Sequence, residues 1–401
     1  MDVYVARQPI FNKRKRIYGY ELLFRDGMVN AFPDVDGDAA TSRVLSTSFW
    51  SNDIERITGR RKAFVNFTEK MIIEKIPVMF PKKTIMVEIL EDMEPNAAVV
   101  TACREMARQG YNLVLDDFIY KPEMKPLLAL AQIVKFDFRA SSIKEIEAAI
   151  KELAAYRVKL LAEKIETHEE FQQALNMGFE YFQGYFFSKP EILKSRDISP
   201  SKITLLNIMS EANREDFRIT ELEKFVSRDL SINYKLMRYI NSAYFGMFKK
   251  VNSVKQTIVL LGMKEVRRFI SLIAMAQLVS GKPDELIRAS LIRARLCENL
   301  GKEAIGKNGS ELFTLGLFSF IDAILDDEMG NIMEDLPLSE NIKKALTGGG
   351  GELADYLALV SCYETGDWEK VAILAAKIGL NEEKTPELYM DAVAWADSIP
   401  I

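Results

Sequence analysis

Histidine and cysteine are scarce in this 401-residue chain, and their scarcity excludes several classes of site. The single histidine, His168, cannot supply an HExxH zinc protease, a His-Asp metal phosphohydrolase or a Cys2His2 finger. The three cysteines, Cys103, Cys297 and Cys362, lie too far apart in sequence for a CxxC pair or a disulfide framework, which suits a reducing compartment. Any metal site must therefore use oxygen ligands, which favours Mg²⁺ or Mn²⁺.

Long apolar runs and an excess of positive charge are also missing. No run of about 18 apolar residues occurs and the N-terminus lacks the apolar core of a signal peptide, so we expect a cytoplasmic protein without a membrane span. The 53 Lys and Arg residues against 58 Asp and Glu residues give a formal charge of −5, which argues against a general nucleic-acid binder. The chain length predicts two domains, with one large barrel among the alternatives.

The hydrophobic pattern changes between the two halves of the chain. Over residues 1–195, short apolar runs alternate with amphipathic helical patterns such as 98–110, which Gly110 ends, and 143–153. This alternation predicts βαβ units and a parallel sheet, of which a (β/α)8 barrel is one form. Over residues 200–401 the spacing is helical throughout and predicts an all-α domain, with a linker near 188–200.

Polar residues recur at the C-terminal ends of the apolar runs in the first half. These residues are Glu21, Asn66, Glu88, Asp116, Asp117, Lys135, Glu163 and Gln183. The C-terminal ends of barrel strands share one face, where active sites of such barrels lie. One polar residue at a strand end is usually only solvated, but several carboxylates on one face repel unless cations hold them. The set therefore predicts a metal site.

An ordered series of short motifs in the first half resembles the EAL phosphodiesterase domain. The motifs are Tyr20-Glu21-Leu22-Leu23-Phe24-Arg25, Val65-Asn66-Phe67, Val87-Glu88-Ile89-Leu90-Glu91, Leu115-Asp116-Asp117-Phe118, Val134-Lys135-Phe136-Asp137, Ala162-Glu163-Lys164-Ile165-Glu166-Thr167 and Phe182-Gln183-Gly184-Tyr185. The resemblance implies a TIM-like barrel that binds bis-(3′-5′)-cyclic dimeric GMP (cyclic di-GMP). It also implies that the barrel hydrolyses one phosphodiester to give linear pGpG.

The resemblance further implies two bound metal ions, Mg²⁺ or Mn²⁺. The residues that would bind them are Glu21, Asn66, Glu88, Asp116 and Asp117. Asp116 would bridge from the first ion to the second, which Asp117 also holds. Two such ions suit phosphodiester hydrolysis, because together they generate hydroxide and neutralise charge on the phosphate.

Other roles follow from the same resemblance. Lys135 would position the attacking water or stabilise charge, and Gln183 would orient water. Glu163 would act as a metal ligand or base, and Glu166 would hold the loop around the sixth strand. The residues that would contact the nucleotide are Gln8, Leu23 and Arg25.

Three places depart from the family's usual residues. Ile119–Met124 replaces a glycine-rich loop that helps to assemble the metal site and a dimer, and a proline with a β-branched residue cannot copy that backbone. Leu90 replaces a threonine, and Lys164 replaces a glycine. An alternative is therefore a degenerate EAL receptor that binds cyclic di-GMP, or an interaction scaffold, without hydrolysis. A homodimer is a further expectation.

The second half resembles the HDOD domain, a helical relative of the His-Asp phosphohydrolases that lacks their metal site. The motifs are Val226–Ser231, Asn241–Gly246 and Val254–Gly262. Where those hydrolases carry their His-Asp pair, this chain has Ser319 and Phe320 within the run Gly316–Phe320. The resemblance implies a regulatory domain that binds an unidentified protein partner.

Overall fold

The computed structural model describes residues 4–25, 54–189, 262, 268–269, 271–272, 282–304, 309–336 and 338–399. The chain divides into two compact units, Met1–Phe187 with Cys362–Trp368, and Ser188–Ser361 with Glu369–Ile401. Most of the predicted linker, residues 190–200, lies outside the described residues. The domain limits of 1–195 and 200–401 therefore stay a prediction.

Eight strands form a closed barrel in the first unit. They are β1 (Tyr4–Asn12), β2 (Ile17–Arg25), β3 (Lys62–Phe67), β4 (Ile85–Ile89), β5 (Asn112–Leu115), β6 (Ile133–Asp137), β7 (Lys159–Glu163) and β8 (Tyr181–Gln183). Strands β2 to β8 pair in parallel in sequence order, so the predicted barrel is confirmed.

One detail of the sheet differs from the expectation of parallel strands throughout. Strand β1 runs antiparallel to both of its neighbours, β2 and β8. Only residues 13–16 separate β1 from β2, which is too short for a crossover that could make them parallel. Asn12 stabilises this turn, because its side chain accepts the backbone N–H groups of Arg14 and Arg16.

Helices α1 (Glu69–Ile73), α2 (Ala97–Gln109), α3 (Lys125–Leu128), α4 (Ile143–Leu153) and α5 (His168–Asn176) connect the strands. The helices predicted at 98–110 and 143–153 are confirmed as α2 and α4. Asn96 caps α2, and Gly110, at φ 91°, ends it in the left-handed conformation that glycine tolerates. A capping box between Ser142 and Glu145 begins α4.

Residue alternation along the strands places the predicted polar residues inside the barrel. Side chains two positions apart on a strand point to the same face. On five strands, and at the end of β5, a buried core residue stands two positions before a polar residue: Phe64 and Asn66, Met86 and Glu88, Val114 and Asp116, Ile133 and Lys135, Leu161 and Glu163, Tyr181 and Gln183. The apolar layer therefore forms the base on which the polar layer lies.

Gly184 allows the loop after β7 to cross the end of β8. The N–H of Ile165 donates to the carbonyl of Gln183 at 3.0 Å, and the N–H of Phe186 donates to the carbonyl of Ile165 at 3.1 Å. A Cβ at Gly184 would lie 2.1 Å from the Ile165 oxygen and 2.4 Å from its nitrogen. Its φ of +139° also lies in the region that favours glycine. The close approach fixes Gln183 beside the loop that follows Glu163.

The described part of the second unit is helical, which confirms the predicted all-α half. Its helices are α6 (Asp284–Glu303), α7 (Gly309–Phe318), α8 (Ile321–Leu325), α9 (Met329–Asp335), α10 (Glu340–Leu346), α11 (Glu352–Thr365), α12 (Trp368–Lys377) and α13 (Thr385–Ser398), of which α11 and α12 include residues assigned to the first unit. The motifs Val226–Ser231, Asn241–Gly246 and Val254–Gly262, apart from Gly262, lie outside the described residues. No helix in the described ranges is long and apolar enough to cross a membrane.

A buried carboxylate organises the core of the helical unit. Glu298 of α6 is fully buried and forms ion pairs with Arg268, with Arg295 at 3.2 Å and with Lys302 at 3.1 Å. Burial raises the pKa of this carboxyl, but Arg268 and Lys302 lower it by more than burial raises it. The pKa of Glu298 therefore lies below its usual value. Glu298 is therefore held as a charged group inside the unit.

We expect Gly184→Ala to lower the free energy of unfolding by about 1–3 kcal/mol more than a matched glycine change, because its methyl group would overlap Ile165. Gly178→Ala is the control, since Gly178 also has a positive φ, +97°, but a Cβ there would meet nothing within 4 Å. Urea unfolding of both variants measures the difference. Equal losses would show that the Ile165 contact does not matter.

Candidate metal centre

A cavity of about 560 Å³ lies over the polar layer of the barrel. Nine of the predicted site residues line it: Gln8, Glu21, Leu23, Asn66, Asp116, Asp117, Glu163, Glu166 and Gln183. Glu88 and Lys135 are fully buried, at 0% exposure, in contact with this lining. Arg25 is the last residue of β2, and its side chain lies outside the described part of the chain. The strand ends thus bring eleven of the twelve predicted side chains together.

The Lys135 ammonium lies at the centre of four carboxylates. Its Nζ is 2.7 Å from Glu88 Oε1, 2.7 Å from Asp116 Oδ1 and 2.8 Å from Glu163 Oε1. A fourth carboxylate, Glu21, is 3.5 Å away. The five groups come from strands β2, β4, β6 and β7 and from the residue after β5. One cation therefore holds side chains from most of the barrel in place.

Charge in this cluster is far from balanced. Four carboxylates around one ammonium leave a formal charge of −3, and Asp117 beside them makes it −4. Burial raises the pKa of Glu88 and of Glu163 well above the usual value; Lys135 opposes the rise, and neighbouring carboxylates add to it. Burial alone would lower the pKa of Lys135, but the carboxylates raise it well above its usual value. The cluster therefore favours binding of further cations or protons.

Two groups of acidic oxygens are close enough to hold metal ions. Glu21, Glu88 and Asp116 form the first group, and Asp116, Asp117 and Glu163 form the second. Within each group the ligand atoms lie within 4.8 Å of one another. Asp116 belongs to both, which is the arrangement that a bridging ligand needs.

Buried acceptor atoms also point to a cation. Asn66 is 2% exposed, and its Oδ1 has no hydrogen-bond partner among the described residues. Asp117 Oδ1 is also buried, and it too has no hydrogen-bond partner among the residues that the structure describes. Buried polar atoms are rarely left unsatisfied, and both are the hard oxygen donors that Mg²⁺ and Mn²⁺ prefer. The residues present therefore fit divalent cations.

Gln183 is fixed by two neighbours. Its Nε2 donates to Gln8 Oε1 at 2.9 Å and to Glu21 Oε2 at 2.6 Å. These bonds leave Gln183 Oε1 as a buried acceptor with no partner among the described residues. Gln8 and Glu21 face each other across the β1–β2 hairpin, so the antiparallel β1 is what brings Gln8 into the site.

Glu166 lies at the rim of the cavity, with a half-exposed side chain. Its carboxylate is 3.5 Å from Arg139, which follows β6 and also forms a two-bond pair with Glu170 of α5. Glu170 accepts the backbone N–H of Glu166 at 2.8 Å. These bonds join the loop after β7 to the segment after β6. His168 is the first residue of α5 and is absent from the residues that line the cavity.

Sequence comparison places the two halves in known families. Residues 61–190 match the family model of the EAL domain, and residues 200–326 match that of the HDOD domain. Over 400 residues the chain is 38% identical to "Cyclic di-GMP phosphodiesterase CdgJ" of Vibrio cholerae, covering 99% of this chain and 93% of that protein. The chain belongs to the family of proteins that join an EAL domain to an HDOD domain.

Another full-length relative and two solved EAL structures are also similar. "Uncharacterized protein YuxH" of Bacillus subtilis is 34% identical over 407 residues, which cover 100% of this chain and 99% of that protein. An EAL domain protein of Listeria monocytogenes is 20% identical over 46% of this chain and 87% of its own, with a TM-score of 0.36. A standalone EAL protein of Vibrio cholerae O395 is 26% identical over 47% of this chain and 92% of its own, with a TM-score of 0.34. The family assignment rests on the sequence relatives.

Three side chains at the EAL site were missed by the sequence prediction. Arg139 and Lys164 line the cavity, and Asp137 is buried beside Lys164, with which it forms an ion pair. Asp137 ends the motif that contains Lys135, and Lys164 is one of the departures from the EAL pattern, so both were visible in the sequence. Nothing in the strand pattern indicated that the segments after β6 and β7 meet there.

We expect Lys135→Met to destabilise the metal-free protein by about 3 kcal/mol, because it leaves buried carboxylates without their cation. Mn²⁺ should restore more stability to this variant than it adds to the unchanged protein, since a divalent ion then compensates the same charges. Urea unfolding with EDTA and with Mn²⁺ measures both effects.

The control for that experiment is Lys159→Met, because the Lys159 side chain is 50% exposed at the start of the neighbouring strand β7. An exposed ion pair contributes less than about 1 kcal/mol. If Lys135→Met cost no more than Lys159→Met in EDTA, the ammonium would not stabilise the cluster.

Proposed function

We propose that the EAL barrel hydrolyses cyclic di-GMP to linear pGpG with the help of two Mg²⁺ or Mn²⁺ ions. The observation that carries the proposal is the pair of acidic groups that share Asp116 at the base of the cavity. The name of the full-length relative CdgJ, a cyclic di-GMP phosphodiesterase, supports the choice of substrate. A cavity of about 560 Å³ is within the usual range for small-molecule sites.

The metal ligands of the proposal are those predicted from the sequence. Glu21, Asn66, Glu88 and Asp116 would hold the first ion, and Asp116 and Asp117 the second. Two divalent cations would cancel the formal charge of −4 that the five carboxylates and Lys135 leave. When bound, such ions activate water and neutralise charge on the phosphate.

The chain's own residues orient the reactants and accept the proton. Glu163 is the proposed base, because burial raises the pKa of its carboxyl and a more basic carboxylate accepts a proton from water more readily. Gln183 Oε1 is the proposed acceptor that orients this water, since Gln8 and Glu21 already hold the other end of the amide. The water oxygen bonds to phosphorus, one P–O ester bond breaks, and the leaving sugar oxygen takes up a proton as the ring opens.

Lys135 is proposed to position the carboxylates at the base of the cavity. Because it is fully buried and surrounded by carboxylates, it keeps Glu21, Glu88, Asp116 and Glu163 at fixed positions. Such prior positioning avoids reorganisation when the reaction begins. The proposed nucleotide contacts are Gln8, Leu23 and Arg25, and Glu166 is proposed to hold the rim through Arg139.

A receptor that binds cyclic di-GMP without hydrolysis is the second candidate. It is favoured by the segment after Asp117, where Ile119 is 64% exposed and Pro122–Met124 forms a short 3-10 turn. This segment stands where EAL domains usually have a glycine-rich loop that assists the metal site. The metal ligands themselves are retained, which is why hydrolysis is the first candidate.

The HDOD half is proposed to be regulatory and to bind a protein partner. At the place of the absent His-Asp pair, Arg293 donates to Ser319 Oγ at 3.3 Å, and its guanidinium lies 3.8 Å from the Phe320 ring centroid. A guanidinium repels a metal cation, and a phenylalanine ring offers no ligand atom, so this arrangement does not suit a metal ion. The partner, a homodimer and the cytoplasmic location stay predictions.

Purified protein incubated with cyclic di-GMP and Mg²⁺ or Mn²⁺ should yield pGpG, and Glu163→Gln should lower kcat at least about 100-fold because it removes the base. Chromatography of the nucleotides measures the rate. Glu180→Gln is the control, since Glu180 pairs with Lys159 at the start of the last two strands. Binding of the nucleotide without product under either metal would favour the receptor, and absence of binding would exclude both candidates.

A further inference from the structure

Positive charge is scarce in the lining of the EAL cavity. Among its described lining residues there are seven acidic side chains and two cations, Arg139 and Lys164. Arg139 is already engaged by the carboxylates of Glu166 and Glu170. A phosphodiester is an anion, so that a lining this acidic repels it except where metal ions or side-chain cations compensate.

Lys164 lies directly beside the proposed catalytic group. It follows Glu163 at the end of β7, and its side chain is 56% exposed. Its φ of 55° is left-handed, a conformation that residues other than glycine rarely adopt. A lysine therefore occupies a position where the backbone favours glycine, and its side chain lines the cavity.

A buried anchor fixes the direction of this side chain. The Lys164 ammonium donates to Asp137 Oδ2, and Asp137 is only 6% exposed. The other oxygen of Asp137 accepts the backbone N–H groups of Arg139 at 2.6 Å and Ala140 at 3.0 Å. The carboxylate thus cannot swing away, and it holds the lysine at the wall of the cavity.

The ammonium keeps bonding capacity for a ligand. A lysine has three N–H donors, and Asp137 takes one of them. Its ion pair with the buried Asp137 carboxylate stabilises the positive charge of the ammonium. The ammonium is therefore a charged donor in the lining of the cavity that Asp117 and Glu163 also line.

We propose that Lys164 binds the phosphodiester of the substrate, as a substrate-affinity residue beside the acidic cluster. The inference rests on the proposed function, because it takes cyclic di-GMP as the ligand of the cavity. Lys164 supplies positive charge at the point where the lining lacks it, while Asp137 directs it. Its effect is on affinity and not on the proton transfer that Glu163 performs.

The test compares Lys164→Gly, Lys164→Met and Lys164→Arg by steady-state kinetics with cyclic di-GMP and Mn²⁺. The glycine variant suits the left-handed backbone, so it guards against failure to fold. We expect KM to rise about 3- to 10-fold in the glycine and methionine variants, with kcat within about 2-fold and the arginine variant near the unchanged protein. The KM difference should shrink at high salt, because salt screens an exposed charge.

Two further measurements separate binding from damage. Lys159→Met, at the other end of β7 and with a similarly exposed side chain (50%), should leave KM unchanged. Calorimetric affinity for Mn²⁺ alone should not weaken in Lys164→Met, since the change removes a cation near the ligands. Equal loss of kcat and Mn²⁺ affinity in all three variants would mean that Lys164 has a structural role only and would overturn the proposal.

Failure of this inference can be told apart from failure of the proposed function. If the unchanged protein forms pGpG and KM is the same in the glycine and methionine variants, the Lys164 proposal alone is wrong. If no pGpG forms, the dissociation constant for cyclic di-GMP with Ca²⁺ replaces KM, and weaker binding in those variants still supports Lys164. An unchanged constant, or no binding to the unchanged protein, overturns it.

Discussion

The ion cluster around Lys135 is the constraint on which the rest of the EAL site depends. Four carboxylates, from β2, β4, β7 and the residue after β5, lie within 3.5 Å of one buried ammonium. Isolated charges of this kind are costly to bury, and the remaining negative charge is larger than one lysine can offset. The barrel is therefore built with an excess of buried oxygen ligands that additional cations or protons can satisfy.

Strand geometry explains why the sequence predicted so much of this cluster. An apolar residue two positions before Asn66, Glu88, Lys135 and Glu163 fixes the inward face of each strand, and closure of the barrel brings those faces together. The antiparallel direction of β1 does not follow from the predicted βαβ units, but its four-residue connection to β2, at 13–16, rules out a crossover helix.

Asp137 and Lys164 were harder to assign because their meeting depends on loops. Asp137 accepts N–H groups of the turn that precedes α4, and Lys164 has a left-handed backbone between β7 and α5. Hydrophobic periodicity predicts which face of the sheet a strand residue points to, but it does not predict the backbone conformation of a turn. The close approach at Gly184 is of the same kind, since only the folded loop reveals that Ile165 crosses there.

The two halves of the protein use buried cations in different ways. In the EAL barrel, Lys135 neutralises only one of the four carboxylates around it, and the remaining formal charge of −3 favours metal ions. In the HDOD half, Arg293 contacts Ser319 and Phe320, which the sequence resemblance predicts to stand where the related hydrolases carry metal ligands. The electrostatics thus favour metal chemistry in the first half and a binding role in the second.

The most direct test of this account is the number of Mn²⁺ ions that the EDTA-stripped full chain binds, measured by calorimetry and electron paramagnetic resonance. The account predicts two ions per chain with coupled spins, both weakened by Asp116→Asn because Asp116 belongs to both acidic groups. Glu105→Gln, at a partly exposed carboxylate paired with Lys75, should change neither ion. One ion, none, or two that are indifferent to Asp116→Asn would contradict it.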